Sequence, residues 1–341
     1  MGSVKFRSIL CPVDFSPQSR TALRAAVAMA RHFTASLTVM FVQDSLLVAA
    51  GRASYGGRRF IDRTRAELAR FVKRAIPIKP EGRHDIALLV SDGSPADEIL
   101  RHAKRMRPDL LVMGSHGLSG IRKVFFGSTT EQVLRSATVP VLAIPPSIGS
   151  RRVAAFPTHA TRVIAPIDLA GEWQSDARRA ASIAGELDAE LLLVHILAAV
   201  QTPPWLRSAG RSSERRRIEK AKTALERVRT NLFSERDLIT TVVLVGEPAH
   251  EIARLAQKAG SLVVMSLRGT AGVWGMRRGA IAYHVLTHAS TPVLALPRRR
   301  IGGRFSLRAR KAIGEALSAR DRAEIAGIDA LLAGGRQSIR R

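Results

Sequence analysis

The sequence predicts an α/β protein of two tandem domains, each a doubly wound sheet of five parallel strands with helices on both faces, followed by a basic helical C-terminal tail. Three observations lead to this prediction. Short β-branched apolar runs alternate with longer helical patterns. The runs LLVMG (110–114) and VPVLAI (139–144) are apolar throughout, which is typical of strands covered by helices on both faces. The whole alternation then occurs a second time along the chain.

An internal repeat sets the domain organisation. The stretch ILCPVDFS at 9–16 recurs as VIAPIDLA at 163–170, and DLLVMGSHG at 109–117 recurs as SLVVMSLRG at 261–269. A single period of roughly 150 residues indicates a duplicated domain, because solenoid repeats are only ~20–50 residues long. We predict domain 1 over 1–147, a linker over 148–160, domain 2 over 161–298 and a basic extension over 299–341.

The elements of the first copy follow in order from their residue patterns. The first helix has Ser16 as its N-cap and Pro17 in its first turn, and its inward stripe contains Leu23, Val27 and Ala30. Strands are predicted near 5–12, 36–42, 84–90, 109–113 and 139–144. Helices are predicted near 17–33, 58–75, 95–106 and 128–137. Strands and helices therefore alternate, as they do in parallel sheets.

Composition narrows the class of protein further. Cys11 is the only cysteine, so no intrachain disulfide can form and a reducing compartment fits the chain. No apolar run approaches the ~18 residues of a membrane span, and the first residues lack the apolar core of a signal peptide. The net charge of +26 comes mostly from scattered arginines with only 5% aromatic residues, which favours non-specific contact with nucleic acid. We therefore expect a cytoplasmic protein with no membrane contact.

A glycine-rich stretch, MGSHGLSGIRKVFFGSTT, follows the fourth predicted strand at 113–130. In doubly wound sheets, ligands bind beyond the carboxyl ends of strands, and Asp14 lies beyond the first strand. The turn from Gly114 to Gly117 can direct its N–H groups inward as an anion nest. Gly127 precedes a helix start, which carries unpaired N–H donors. The spacing of the whole set favours a nucleotide phosphate site.

Alternatives remain open for parts of this stretch. Ser128 and Glu131 also fit a capping box, in which both side chains serve only the helix end. Ser115 and His116 are adjacent, but no third group orients them as a nucleophile and base, so we assign no catalytic residue. The sequence has no Walker, dinucleotide or GxSxG motif and no HxxxH or CxxC spacing, so we assign no metal site.

Together these motifs resemble the ATP-binding branch of the universal stress protein family. The matching motifs are PVDFS (12–16), MGSHG (113–117), the pattern G-x2-G-x9-G-S from Gly114 to Ser128, and TVPVLAIP (138–145). The resemblance covers 3–147 and, with fewer matches, 161–298. It implies two domains of the adenine nucleotide alpha hydrolase-like fold.

The resemblance implies ATP as the ligand, with Mg²⁺ as an optional companion and with AMP or ADP as alternatives. It implies a nucleotide-dependent regulatory protein of the stress response. A slow ATP-hydrolysing or adenylyl-transferring enzyme is the first alternative, and a basic nucleic-acid-associated protein is the second. The binding roles fall on Pro12, Val13 and Asp14 for adenine and ribose, on Val42 for the base, and on Met113, Gly114, His116, Gly117, Gly127, Ser128 and Thr129 for the phosphates.

The second copy keeps only part of this pattern. Ser266 stands where the first glycine is expected, and Ala280 stands where the closing serine is expected. A Cβ at Ser266 crowds the nest if the backbone there has a positive φ, and Ala280 lacks the hydroxyl group. We therefore predict a weakened second site, with retained binding as the alternative. Its candidate residues are Pro166, Asp168, Gly269 and Gly279.

Each copy ends in an apolar strand that would be the outermost strand of its sheet, and soluble proteins cover such edges. In the resembled family, single-domain members pair this strand with its twin in a homodimer. We therefore predict that the two domains pair within one chain, with Val141 and Leu142 against Val293 and Leu294. Any homo-oligomer would be secondary to this pairing.

Overall fold

A computed structural model describes residues 5–44, 48, 57–76, 86–115, 127–146, 160–169, 173–200, 203, 207–234, 237–267 and 280–297. Residues Met1–Arg298 form one compact unit. The basic extension predicted over 299–341 lies outside the described residues. Within the described residues, no helix has the length and hydrophobicity that crossing a bilayer requires.

Strands and helices alternate along both halves of the chain. The first half contains β1 (Ser8–Val13), α1 (Pro17–Phe33), β2 (Ser36–Gln43), α2 (Gly57–Ala75), β3 (Ile86–Asp92), α3 (Pro95–Met106), β4 (Leu110–Gly114), α4 (Ser128–Ser136) and β5 (Val141–Ile144). The second half contains β6 (Arg162–Pro166), α5 (Trp173–Glu186), β7 (Glu190–Leu197), α6 (Arg207–Leu232), β8 (Ile239–Val245), α7 (Pro248–Leu255), β9 (Ser261–Ser266), α8 (Ala280–His288) and β10 (Val293–Leu296). The predicted tandem α/β fold class is confirmed.

The strands form one sheet with the order β3-β2-β1-β4-β5-β10-β9-β6-β7-β8. Neighbouring strands within each half are parallel. The central pair, β5 and β10, is antiparallel, with Leu142 opposite Leu294 and Val141 opposite Ala295. In each half the second and third strands lie on one side of the first strand, and the fourth and fifth strands lie on its other side. One switch point therefore lies between β1 and β4, and a second lies between β6 and β9.

Helices cover both faces of this sheet. On one face, α1, α2, α5 and α6 pack onto a core cluster that includes Leu23 and Leu225. On the other face, α3, α4, α7 and α8 pack onto a second cluster that includes Ile99 and Val285. Both clusters draw residues from both halves. Buried apolar contact on the two faces is therefore continuous across the central strand pair.

The first helix begins as the sequence predicts. Ser16 is its N-cap, and the Ser16 hydroxyl accepts a hydrogen bond from the N–H of Ser19 at 3.0 Å. Pro17 occupies the first turn, where a missing N–H has no cost. Leu23 and Val27 face the core, as their spacing requires. The helix start is thereby fixed directly beyond the end of β1.

Candidate functional site

The two strands that flank the first switch point end side by side. β1 and β4 are paired in parallel, with Leu10 opposite Leu111. Continuing that register brings the last residues of the two strands, Val13 and Gly114, to the same edge of the sheet. Asp14 follows β1 directly. Because doubly wound sheets bind ligands at this kind of edge, we take it as the candidate site.

Asp14 belongs to a tightly hydrogen-bonded turn between β1 and α1. Its carboxylate oxygen Oδ1 accepts the N–H of Ser16 at 3.0 Å, and its own N–H donates to the hydroxyl of Ser19 at 3.3 Å. The Ser19 hydroxyl in turn donates to the carbonyl of Ser16 at 3.1 Å. These bonds hold the half-buried Asp14 carboxylate at the edge, in place to accept hydrogen bonds from ligand hydroxyl groups.

Phe15 completes this turn in a conformation that is rare for a residue other than glycine. Its φ is 64°, in the left-handed region. The ring is held by Phe41, with centroids 4.3 Å apart, and by Phe71, with centroids 5.3 Å apart. Such a backbone conformation costs of order 1–3 kcal/mol and persists only where its surroundings fix it. Aromatic packing therefore fixes the direction in which Asp14 leaves the strand.

Apolar side chains line the same edge. Pro12 and Val13 are buried at the end of β1, and Met113 is buried near the end of β4. Val42 lies near the end of β2 and is half-buried. Val42 and Met113 both contact the core cluster on the α3 and α4 face. Val42 and Met113 thus lie on one face at this edge, where they are suited to covering an aromatic base, whereas Val13 packs into the cluster on the other face.

The start of α4 is fastened to the end of β4. The N–H of Gly127 donates to the carbonyl of Ser115 at 2.9 Å, and the hydroxyl of Thr130 donates to the carbonyl of Gly114 at 2.9 Å. The N–H of Ser115 donates to the carbonyl of Ile144 on β5 at 2.9 Å. Ser115 and Gly127 are therefore hydrogen-bonded neighbours. Thr130 is a residue that the sequence analysis missed.

The first turn of α4 is not capped by a side chain. Its N-cap is Gly127, with φ −61° and ψ 129°, and Ser128 is already the first helical residue. The capping-box alternative is therefore wrong, because Ser128 is not the N-cap and the Glu131 carboxylate accepts hydrogen bonds from Arg135 at 2.5 and 3.1 Å instead. The side chain of Ser128 is exposed and that of Thr129 is half-buried. A helix start of this kind favours an anion.

Several predicted site residues lie outside the described residues. They are His116, Gly117, Gly269 and Gly279. Among the residues that the structure describes, no group of three or more His, Cys, Asp or Glu side chains could hold a metal ion.

The second switch point has different chemistry. Pro166 ends β6, and Asp168 follows it as an exposed residue, whereas Asp14 in the first copy is half-buried. At the end of β9, the Ser266 hydroxyl donates to the Asp176 carboxylate at 2.6 Å. The repeat that aligns Asp14 with Asp168 also aligns Ala22 with Asp176. Asp176 was not predicted, because an acidic residue in a helix gives no signal in the sequence until the fold brings it to the strand end.

One glutamate in each half was also not predicted. Gly93, with φ 141°, follows β3, and Glu98 on α3 lies against it. The Glu98 carboxylate accepts hydrogen bonds from Ser91 and Arg101, and the bond from Arg101 is the main reason that the pKa of Glu98 lies below its usual range. Gly246 repeats this arrangement in the second half, with φ 158°. The repetition in both copies indicates a structural role.

The fold is that of a tandem α/β protein with one switch point in each half. Doubly wound sheets bind their ligands at such switch points. The chain belongs to the universal stress protein family, whose family model matches residues 5–145 and 159–297.

Individual relatives resemble one copy or both. Universal stress protein YxiE of Bacillus subtilis is 32% identical over 149 residues, which cover 41% of this chain and 99% of that protein. Universal stress protein Mb2019 of Mycobacterium bovis is 26% identical over 304 residues, which cover 84% of this chain and 93% of that protein. The crystal structure of PA1789 from Pseudomonas aeruginosa is 19% identical and has a TM-score of 0.56, covering 86% of this chain and 93% of that chain. This last similarity shows a shared fold.

Proposed function

We propose that this tandem universal stress protein binds ATP, or another adenine nucleotide, mainly in domain 1 (1–147) and acts in the cytoplasm as a nucleotide-dependent regulatory protein of the stress response. One observation carries the proposal. The uncapped start of α4 is fastened to the end of β4, next to the edge where Asp14 leaves β1. Donors for phosphate and an acceptor for hydroxyl groups therefore share one switch point.

Each described residue has a role that its chemistry supports. The N–H groups at Ser128 and Thr129 and their hydroxyl groups would bind phosphate oxygens, with help from the partial positive charge of the helix start. The Asp14 carboxylate would accept hydrogen bonds from the adenosine end. Val42 would cover one side of the base. Where Mg²⁺ accompanies the nucleotide, the phosphates themselves would supply part of its oxygen ligands.

We infer regulation rather than rapid turnover from the kind of groups that the structure describes at this edge. The described groups at this edge are backbone N–H groups, hydroxyl groups and apolar side chains, which are suited to binding and orienting a ligand. A protein that only binds ATP would show the same nucleotide before and after incubation. Turnover near ordinary enzyme values, ~1 per second or more, would favour the alternative of an ATP-cleaving enzyme.

The site is tested most sharply at Ser128, with ATP and adenosine as probes. In Ser128→Asp, a carboxylate at the helix start would repel the phosphates, while the acid itself suits the helix dipole and should leave folding intact. Ser128→Asn is the matched control, because it has the same shape without the charge. We expect ATP binding to be at least ~10-fold weaker in Ser128→Asp than in Ser128→Asn, and adenosine binding to be the same in both.

Two results would overturn this proposal. Titration calorimetry of the full chain could show no binding of ATP, ADP or AMP, and denatured preparations could release no adenine nucleotide. Equal ATP affinity of Ser128→Asp and Ser128→Asn would instead place the phosphates away from α4.

A further inference from the structure

We propose that Asp176 excludes the phosphate chain of a nucleotide from domain 2 (161–298), so that the chain binds its nucleotide in domain 1 alone. This inference rests on the proposed function and deepens it, because it identifies the residue that decides between the two switch points. Asp176 lies in the first turn of α5, and its carboxylate oxygen Oδ1 is 2.6 Å from the Ser266 hydroxyl.

Ser266 is the last residue of β9. It occupies the same place in domain 2 that Gly114 occupies at the end of β4 in domain 1. The carboxylate of Asp176 therefore stands at the strand end that flanks the second switch point, where the first copy has only the backbone of a glycine. Both Asp176 and Ser266 are half-buried, so water screens the carboxylate only in part.

The two copies differ here by a coordinated pair of residues. Domain 1 has Ala22, which is fully buried, and Gly114, and neither has a polar side chain. Domain 2 has Asp176 and Ser266, which lie 90 positions apart in the chain and are hydrogen-bonded to each other. In domain 2 the helix position and the strand position are thus both polar, and their side chains are hydrogen-bonded to each other. The end of β4 in domain 1 therefore has no side chain at this position, whereas the end of β9 in domain 2 has a hydrogen-bonded side-chain pair.

The chemistry of this pair disfavours phosphate. A serine hydroxyl has one hydrogen, and Ser266 donates it to Asp176, so the hydroxyl presents only lone pairs to an incoming ligand. A carboxylate accepts hydrogen bonds and carries negative charge, whereas phosphate binding needs donors and positive potential. Domain 2 also has Ala282 in the place of Thr130, whose hydroxyl fastens the helix start to the strand in domain 1.

A purely structural role for the pair makes a different prediction. If Asp176 only ties α5 to β9, then Asp176→Asn should leave nucleotide binding unchanged, because an amide oxygen can still accept the bond from Ser266. If the charge excludes phosphate, the same variant should gain ATP binding. The double variant Asp176→Ala with Ser266→Gly restores the residues of domain 1 and should gain more.

The experiment counts ATP bound per full-length chain by equilibrium dialysis. We expect one ATP for the unaltered chain, two for the double variant, and a second site at least ~10-fold tighter in Asp176→Asn than in the unaltered chain. Asp188→Asn is the control: Asp188 is exposed just beyond the other end of α5 and has a φ of 50°, which asparagine tolerates. Asp188→Asn removes one negative charge, as Asp176→Asn does, and should leave one ATP bound per chain.

Each outcome decides the question. Two ATP molecules on the unaltered chain, or no gain in either Asp176 variant, overturns the inference. Repeating the series with Ser128→Asp in the same chain isolates domain 2. If the unaltered chain binds no ATP while an Asp176 variant binds one, the proposed function of domain 1 fails and the exclusion by Asp176 stands. If the double variant does not fold, Asp176→Asn decides alone, because it keeps the acceptor for Ser266.

Discussion

Gly93 shows how a single residue fastens the ends of two neighbouring strands. Its φ of 141° is a conformation that L side chains rarely adopt, and an added Cβ would lie 3.1 Å from Cγ of Glu98. Its N–H donates to the carbonyl of Gln43 at 2.9 Å, which ties the end of β3 to the end of β2. We predict that Gly93→Ala lowers the free energy of unfolding by about 1–3 kcal/mol, measured by urea denaturation.

Gly185 offers the matched control for that substitution. It lies near the end of α5, is exposed, and has no atom within 4 Å of an added Cβ. Gly185→Ala should therefore stabilise the protein by up to about 1 kcal/mol, since alanine loses less backbone entropy on folding. Equal effects of the two substitutions would show that the backbone at Gly93 is not strained for other residues.

The role of a single residue can be predicted from the sequence when it depends on a local pattern. It cannot be predicted when it depends on a contact with a residue remote in the chain. Ser16 was predicted as an N-cap because serine before a proline and an apolar stripe is a local pattern. Asp176 was not predicted, because its partner Ser266 is far away in the chain. The capping box at Ser128 was a wrong alternative for a similar reason: the long-range bond from Gly127 to Ser115 decides where α4 begins.

Helix α3 contains a buried histidine whose protonation makes stability depend on pH. His102 is buried in it, and burial, followed by the charges of Arg101 and Arg105, holds the pKa of His102 below its ordinary value of 6.5, although the Glu98 carboxylate 3.8 Å away acts in the opposite direction. The folded state thus binds fewer protons here than the unfolded state. The contribution of neutral His102 to the free energy of unfolding is fully present above pH 6.5. It is lost as the pH falls from 6.5 towards the pKa of His102 in the folded state.

We predict that His102→Gln flattens this dependence. The free energy of unfolding of the unaltered chain should fall as the pH falls below 6.5, with a slope of at most about 1.4 kcal/mol per pH unit from one proton. His250→Gln is the control, because His250 lies on the matching helix α7 with 75% of its side chain exposed. A slope that is the same in the unaltered chain and in His102→Gln would contradict the prediction.

Elements are predicted more accurately than their ends. Helix α1 has the predicted bounds, whereas β1 was predicted to begin near residue 5 and begins at Ser8. The reason is a contact remote in sequence: the Asp109 carboxylate accepts the N–H groups of Arg7 at 2.8 Å and of Ser8 at 3.1 Å. The apolar pattern in the sequence predicts that a strand exists. Hydrogen bonds to residues remote in the chain then decide at which residue its pairing with neighbouring strands begins.

On the scale of the whole molecule, the central strand pair joins the two copies into one sheet. Leu142 on β5 lies opposite Leu294 on β10, and both are almost fully buried. If the copies pair in this way in solution, Leu142→Ala and Leu294→Ala remove two halves of one contact. We predict that each costs about 2–5 kcal/mol in unfolding free energy, and that the double variant departs from additivity by at least about 0.5 kcal/mol.

Leu68 and Leu294 provide the control pair for this cycle. Leu68 is fully buried on α2, which packs against the edge strand β3, five strands away from β10 in the sheet order. At roughly 4.8 Å per strand, this distance excludes direct contact, so the effects of Leu68→Ala and Leu294→Ala should add. Additive behaviour in both cycles would mean that β5 and β10 do not form this contact in solution. Coupling confined to Leu142 and Leu294 would mean that β5 and β10 form this contact in solution and so cover the exposed strand edge of domain 1.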